Sequence, residues 1–310
     1  MKKYISTIAA VLIVAATAYM VLNSSSQSTN ISTAQQVDPD IGSFHYQKRC
    51  ARPPHFLKQK GISQPVLIDL SQKEYTGIAL LYGRGFKQAL HPKSWERFEH
   101  LGTYTIDKKG NVFLAPIPFI SITSSTFSHQ QNIYKLDSDT GTLSIWMHLD
   151  EIRPGANNPF GIISLTYDCD DHTLWVSAID KSDYRAQKGR IYHIDIASKS
   201  LLDTYEGFDA LTLSLLHTQK GKYLLAGSAR DSGVYAFSLN GDHIEKPVRL
   251  FTLPSTNLHV RKIKSKGENL LELQAIPFTY ALIAQTDTKN RTYYYANKNK
   301  TDAAWGVTKK

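Results

Sequence analysis

The 310-residue chain reads as all-β: a β-propeller of four-stranded antiparallel blades, preceded by an N-terminal hydrophobic helix. Three observations carry this expectation. Four hairpin-like segments recur along the body, a tyrosine-centred strand follows each, and an uncharged apolar run stands at the N-terminus.

The hairpins are YTIDKKGNVFLAPI (104–117), ISLTYDCDDHTLWVSAI (163–179), LSLLHTQKGKYLLAGS (213–228) and VRKIKSKGENLLELQAI (260–276). Each is an apolar stretch, a polar turn and a second apolar stretch. The turns hold Lys109-Gly110-Asn111, Asp170-Asp171-His172, Lys220-Gly221-Lys222 and Lys266-Gly267-Glu268. Gly, Asn and Asp tolerate the positive φ of tight hairpin turns. The following strand appears as IYKLD at Tyr134, IYHID at Tyr192, VYAFS at Tyr235 and TYALI at Tyr280. Apolar and polar residues alternate in it, the period of a strand with one buried face. A fourth strand closes each unit, as in TLSIWMHL (142–149) and RTYYYAN (291–297).

A sheet of this kind has two apolar faces and cannot bury them alone. Repeats of roughly 45–50 residues arranged around an axis bury them against one another. The stretch PVLIDLSQKEYTGIALLYG (65–83) matches the second half of a unit. Its first half comes from residues 41–57 or from ring closure with the C-terminus. Four full units and a half suggest five blades, and six stays open. Two segments break the pattern: RGFKQALHPKSWERFEHLG (84–102), suited to a short helix or long loop, and PFISITSSTFSHQ (118–130).

Lys2 and Lys3 precede Tyr4–Leu22, nineteen residues without a charge. That is long enough to span a hydrocarbon core of about 20 helical residues. The next cation is Lys48, so the positive-inside rule keeps the N-terminus in the cytoplasm and sends the body out. Residues 1–22 are expected to be a signal anchor or signal peptide, with Ala16-Thr17-Ala18 as a cleavage-type site. Residues 23–40, rich in Ser, Thr and Gln, read as a flexible linker, and 41–310 as the propeller. The expected location is extracytoplasmic, periplasmic or secreted, with residues 4–22 in the membrane.

The apolar fraction of 42% supports a sizeable core, and 17 tyrosines favour half-buried pleated surfaces. A net charge of +9 fits solubility and attraction to anionic surfaces, and no nucleic-acid partner is expected. The two cysteines, Cys50 and Cys169, exclude a CxxC motif and either pair or stay free. No GxSxG, HExxH, phosphate-loop or dinucleotide fingerprint occurs, so no catalytic residue is assigned.

The unit NPFGIISLTYDCDDHTLWVSAIDKSDYRAQKGRIYHIDIASKSLL (158–202) resembles a blade of the NHL-repeat and regucalcin–gluconolactonase-like propellers. The resemblance lies in Pro159-Phe160-Gly161-Ile162, in Leu174-Trp175-Val176 with Asp180 after it, and in Arg190-Ile191-Tyr192-His193-Ile194-Asp195. It implies a ligand site at the axial face and a divalent metal, Ca or Zn. Asp180 stands where such propellers carry an aspartate. Phe160 replaces their entry asparagine, with Asn157 and Asn158 just before it.

Propeller ligands sit among blade-entry loops, which here include His129, Asn158, Asp180, Arg185, Arg230, Asp231 and His259. The expected function is binding of a small molecule, a glycan or an envelope protein at that axial face. The alternative is a metal-dependent hydrolase or lyase of the gluconolactonase-like type, with Asp180 and Asn158 as metal ligands. Asp168, Asp170, Asp171 and His172 read as turn chemistry. The basic run Arg261, Lys262, Lys264 and Lys266 reads as the solvated face of a strand, or as a patch for an anionic polymer.

Overall fold

A computed structural model describes residues 41–44, 50–70, 75–98, 100–120, 125–126, 128–155, 157–280, 290–297 and 305–309. The hydrophobic segment 4–22 and the linker 23–40 lie outside the described residues. Helix α1 (His55–Gln59) precedes the strands. The first blade is β1 (Leu67–Asp69), β2 (Ala79–Tyr82) and β3 (Gln88–Leu90), and the second is β4 (Leu101–Ile106) and β5 (Val112–Pro116), continued after the ribbon β6 (Phe119–Ile120) and β7 (Ser125–Thr126) by β8 (Asn132–Leu136) and β9 (Leu143–His148). The third runs β10 (Ile162–Asp168), β11 (Thr173–Ala178), β12 (Arg190–Asp195) and β13 (Leu201–Glu206). The fourth is β14 (Ala210–Thr218), β15 (Gly221–Ser228) and β16 (Gly233–Asn240), with β17 (His243–Ile244) and β18 (Val248–Thr252) both pairing β16. The fifth is β19 (His259–Gly267), β20 (Leu270–Ile276), β21 (Arg291–Asn297) and β22 (Trp305–Lys309).

The protein is therefore a five-bladed propeller, and the six-blade alternative falls: among the described residues five antiparallel sheets of three to five strands form blades, beside the two-stranded β6–β7 ribbon. Three sequence assignments are corrected with it. Residues 65–83 supply the first and second strands of a blade, and β3 comes from the segment read as an interruption. That segment otherwise folds as two 3-10 turns, Arg84–Phe86 and Lys93–Phe98. In the fifth blade β21 pairs β20 directly, so RTYYYAN is its third strand and Trp305–Lys309 its outermost. Tyr280 lies outside any strand. Its tyrosine-centred pattern imitates Tyr134, Tyr192 and Tyr235, which do sit on third strands.

The core lies between blades. Leu174, Val176 and Tyr192 of the third blade pack with Phe113 and Trp146 of the second. Trp175 and Ile191 pack with Leu224 and Phe237 of the fourth. Strand β11 is consequently buried along its whole length, which explains its unbroken TLWVSA sequence. Fully burying a Leu- or Val-sized side chain stabilises by about 1.5–3 kcal/mol, so each interface is held by several such residues. The turn glycine Gly110 has φ +88°, and a Cβ there would lie 2.8 Å from the Pro53 carbonyl oxygen. It thus lets the second blade's hairpin dock against the N-terminal segment.

That segment crosses one end of the propeller. Phe44 bridges Thr218 of the fourth blade, and its N–H donates to Asn269 of the fifth at 2.9 Å. Arg52 and Phe56 donate to carbonyls of Asp107 and Ser138 in the second blade. Between them Cys50 is disulfide-bonded to Cys169 on the third blade's hairpin turn, Cα to Cα 6.0 Å. The two cysteines therefore pair, and residues 41–44 and 50–57 lie over the turn end as a strap rather than as part of a blade.

Candidate functional site

First strands from all five blades line an axial channel. Ile68 comes from β1, Thr103 and Thr105 from β4, Ser164 and Thr166 from β10, Thr212 from β14, and Arg261, Lys262 and Lys264 from β19. The cavity measures about 1190 Å3 and extends to Ser43, Cys50, Cys169 and Gln219 under the strap. Hydroxyls stitch neighbouring inner strands together. Leu213 N–H donates to Ser164 Oγ at 3.0 Å, Thr166 Oγ1 donates to the Leu213 carbonyl at 2.7 Å, and Tyr167 N–H donates to Thr105 Oγ1 at 3.1 Å. Short β-branched and hydroxyl side chains suit this position because they reach a neighbouring backbone without filling the channel.

Four of the inner strands share a β-bulge one or two residues after their start. Pairing with the second strand skips Gly102, Ile163, Leu211 and Arg261. A bulge leaves its extra residue outside the ladder, and two of these residues turn a carbonyl to the channel. Arg261 Nη1 donates to the Leu211 carbonyl at 3.0 Å and to the Ile163 carbonyl at 3.3 Å. One side chain of the fifth blade thereby ties the fourth and third. Burial holds its guanidinium down to about 10, still a cation at neutral pH. Ile163 and Leu211 also enter an apolar cluster with Phe160, Phe278 and Tyr280 at the entry end.

The acids on the lining are already matched. Asp168 pairs with Lys222, and Asp170 lies 3.1 Å from His217 Nε2. Burial works against the Lys222 ammonium, but bonds to Asp168 and Asp171 outweigh it and raise its affinity for the proton. Arg261 has no carboxylate partner among the described residues.

The loop residues singled out in the sequence have local partners. Asp180 is buried, accepting from Arg153 N–H at 2.9 Å and Arg190 Nη2 at 3.1 Å. Asn158 donates to the carbonyls of Ile179 and Ser182 and accepts from Phe160 N–H. Their donor set does not fit a divalent metal: one carboxylate is neutralised by an arginine, and the amide oxygen is occupied. Among the described residues no three or more His, Cys, Asp or Glu side chains gather as metal ligands would. Asp231 accepts from Tyr235 Oη at 2.7 Å and Arg249 Nη2 at 3.1 Å, not from its neighbour Arg230. Arg185 is exposed beside Asp183. His129 occupies a turn at φ 68° next to a small cavity of about 60 Å3 with Arg97 and His100. His259 is buried, its Nδ1 3.2 Å from the Ser228 carbonyl. None of these seven lines the channel.

What joins the entry loops is Asp209, absent from the sequence candidates. It is fully buried and accepts from Ser182 Oγ, Gly189 N–H at 2.7 Å, Arg230 Nε at 3.1 Å and Tyr280 Oη at 2.6 Å. Arg230 also lies over the Tyr280 ring at 5.2 Å. One carboxylate thus clamps loops of the third, fourth and fifth blades, and burial drives the Tyr280 hydroxyl strongly toward its neutral form. Aligning the four hairpins on their bulges puts Arg261 in one column with Gly102, Ile163 and Leu211, where a single cation interrupts small or apolar residues.

No protein-family model matches the chain, and no curated protein matches it in sequence. Among solved structures it is similar to a glucose dehydrogenase at 14% identity and TM-score 0.39, over 73% of this chain and 76% of the other. TolB from Acinetobacter baumannii is 11% identical at TM-score 0.46, over 82% of this chain and 56% of TolB. The Myceliophteria thermophila Cps50 (Swd1) β-propeller domain is 11% identical at TM-score 0.40, over 85% of this chain and 88% of that domain. These neighbours are propellers of different function, and membership of the NHL or regucalcin group does not follow from them.

Proposed function

We propose that the chain is an exported propeller, tied to the membrane through residues 4–22, that binds a small polar molecule in its axial channel. The observation that carries this reading is the channel itself, about 1190 Å3 and lined by hydroxyls from several blades and by cations of the fifth. Small-molecule sites are typically concave spaces of about 300–1,000 Å3 with a few placed polar groups. The Cys50–Cys169 disulfide supports an oxidising compartment, in line with the charge layout around residues 4–22.

The experiment is native mass spectrometry of the full chain purified in mild detergent, beside a Thr212→Trp variant whose indole occupies the channel. A small molecule retained by the wild-type chain and lost from the variant supports the reading. Equal retention by both, or none by either, overturns it. Fractionation with an epitope on the C-terminus tests export: recovery of the body in the cytosol contradicts it.

A further inference from the structure

We infer, resting on the channel reading, that the bound molecule carries an anionic oxygen group, a carboxylate or a phosphate, received by Arg261. Both carbonyl bonds of Arg261 are made by Nη1. Nε and Nη2 have no protein partner among the described residues, and together they form the side-on edge that takes two oxygens of an anion. Paired N–H donors of this kind match carboxylate and phosphate geometry.

The charge balance points the same way. Cations withdrawn from water are ordinarily paired, yet the half-buried Arg261 faces two neutral carbonyls. The bulge carbonyls need donors, but a neutral amide side chain would serve them. Asp168 has its own cation, Lys222, and Asp170 is turned to His217. Lys264 also lines the channel and has no ion pair among the described residues. Among the described residues Arg261 thus has no carboxylate paired to it, while Lys264 stands opposite Glu272. Next to the bulge carbonyls stand the hydroxyls of Ser164 and Thr212. Ser164 accepts from Leu213 N–H, which leaves its own proton to donate. A cation with a free edge, a second cation and hydroxyl donors in one walled space form an anion receptor.

The test titrates the full chain in mild detergent with inorganic phosphate, with succinate and with glucose, at constant ionic strength set by chloride, reading Tm and Kd. Phosphate or succinate is expected to raise Tm, and whichever binds identifies the source of the anionic group. In Arg261→Gln the Kd should weaken about tenfold or more, the loss of a charge-assisted pair. Lys264→Gln leaves both carbonyl bonds intact and should weaken binding less, so the inference stays testable if Arg261→Gln does not fold. Equal anion stabilisation of the wild-type chain and both variants overturns the inference. Glucose binding that Thr212→Trp abolishes, with no anion effect, also overturns it while leaving the channel reading standing.

Discussion

The Arg261 guanidinium on the fifth blade reaches across the channel to the Leu211 carbonyl of the fourth, 3.0 Å away. Both residues are bulge positions near the start of their strands. The bulge frees the carbonyl and the equivalent bulge supplies the donor, so a local irregularity repeated by the fold becomes a contact between blades. Replacing Arg261 with Met strands two carbonyls. The expected loss is about 2–3 kcal/mol, the value of hydrogen bonds to a charged group, read as a lower midpoint in urea with an unchanged slope. An unaltered midpoint would mean that water replaces the guanidinium at no cost.

Asp209 holds the entry end, and its neutralisation should be felt there first. Asp209→Asn leaves Arg230 without its carboxylate in a buried site, a change that typically costs about 3–5 kcal/mol. Tyr280→Phe removes one bond to the same carboxylate and should cost about 1–2 kcal/mol. Equilibrium denaturation of both variants checks the ranking, and a double variant should lose less than the sum because the two residues share a partner.

The disulfide closes a loop with cysteines 119 positions apart. The chain-entropy relation gives about 4–5 kcal/mol for a loop of that length. Cys50→Ser, Cys169→Ser and the double variant should therefore lose similar amounts, since each removes the same cross-link. Limited proteolysis should then cut the strap around residues 50–57 before the blades. Unequal losses among the three variants would assign the effect to side-chain packing instead.

His193 is buried flat against Trp175, ring centroids 3.8 Å apart, with Nε2 2.9 Å from Thr173 Oγ1. Burial pushes its proton affinity below the ordinary imidazole value of 6.5, outweighing the pull of the Asp242 carbonyl and carboxylate. The folded state thus favours the neutral ring. Above pH 6.5 both folded and unfolded rings are neutral and the stabilisation is complete. As pH falls below 6.5 the unfolded ring takes a proton first, and stability declines until the lowered folded value is passed. His172, lowered chiefly by burial too, adds to the same window. His193→Gln should flatten the pH dependence of the denaturation midpoint between pH 7 and 5, and an unchanged slope would assign it to other groups.

The repeat was legible because blade strands must satisfy two faces at once. TLWVSA and RIYHID are buried nearly throughout, and such runs stand out from any loop. The first blade escaped because its strands are short, Leu67–Asp69 and Gln88–Leu90, and carry little pattern. Tyr280 misled for a different reason: an apolar tyrosine motif before a turn imitates a third strand, while its real partner is Asp209. The entry-loop candidates were polar and well placed along the chain, but Asp180 and Asn158 spend their bonding capacity on Arg190 and on backbone carbonyls. Arg261 looked like one more lysine-like charge on a solvated strand. A bulge had rotated it into the channel, and bulges leave no composition signal of their own.

The claim that the channel is the ligand site is tested most directly by a crystal structure of the full chain with its co-purified molecule. The expected result is density in the channel, within hydrogen-bonding distance of Arg261 and bordered by Ser164 and Thr212. A molecule seated instead on the entry loops, against Phe278 and Tyr184 with the channel filled by water, would contradict it.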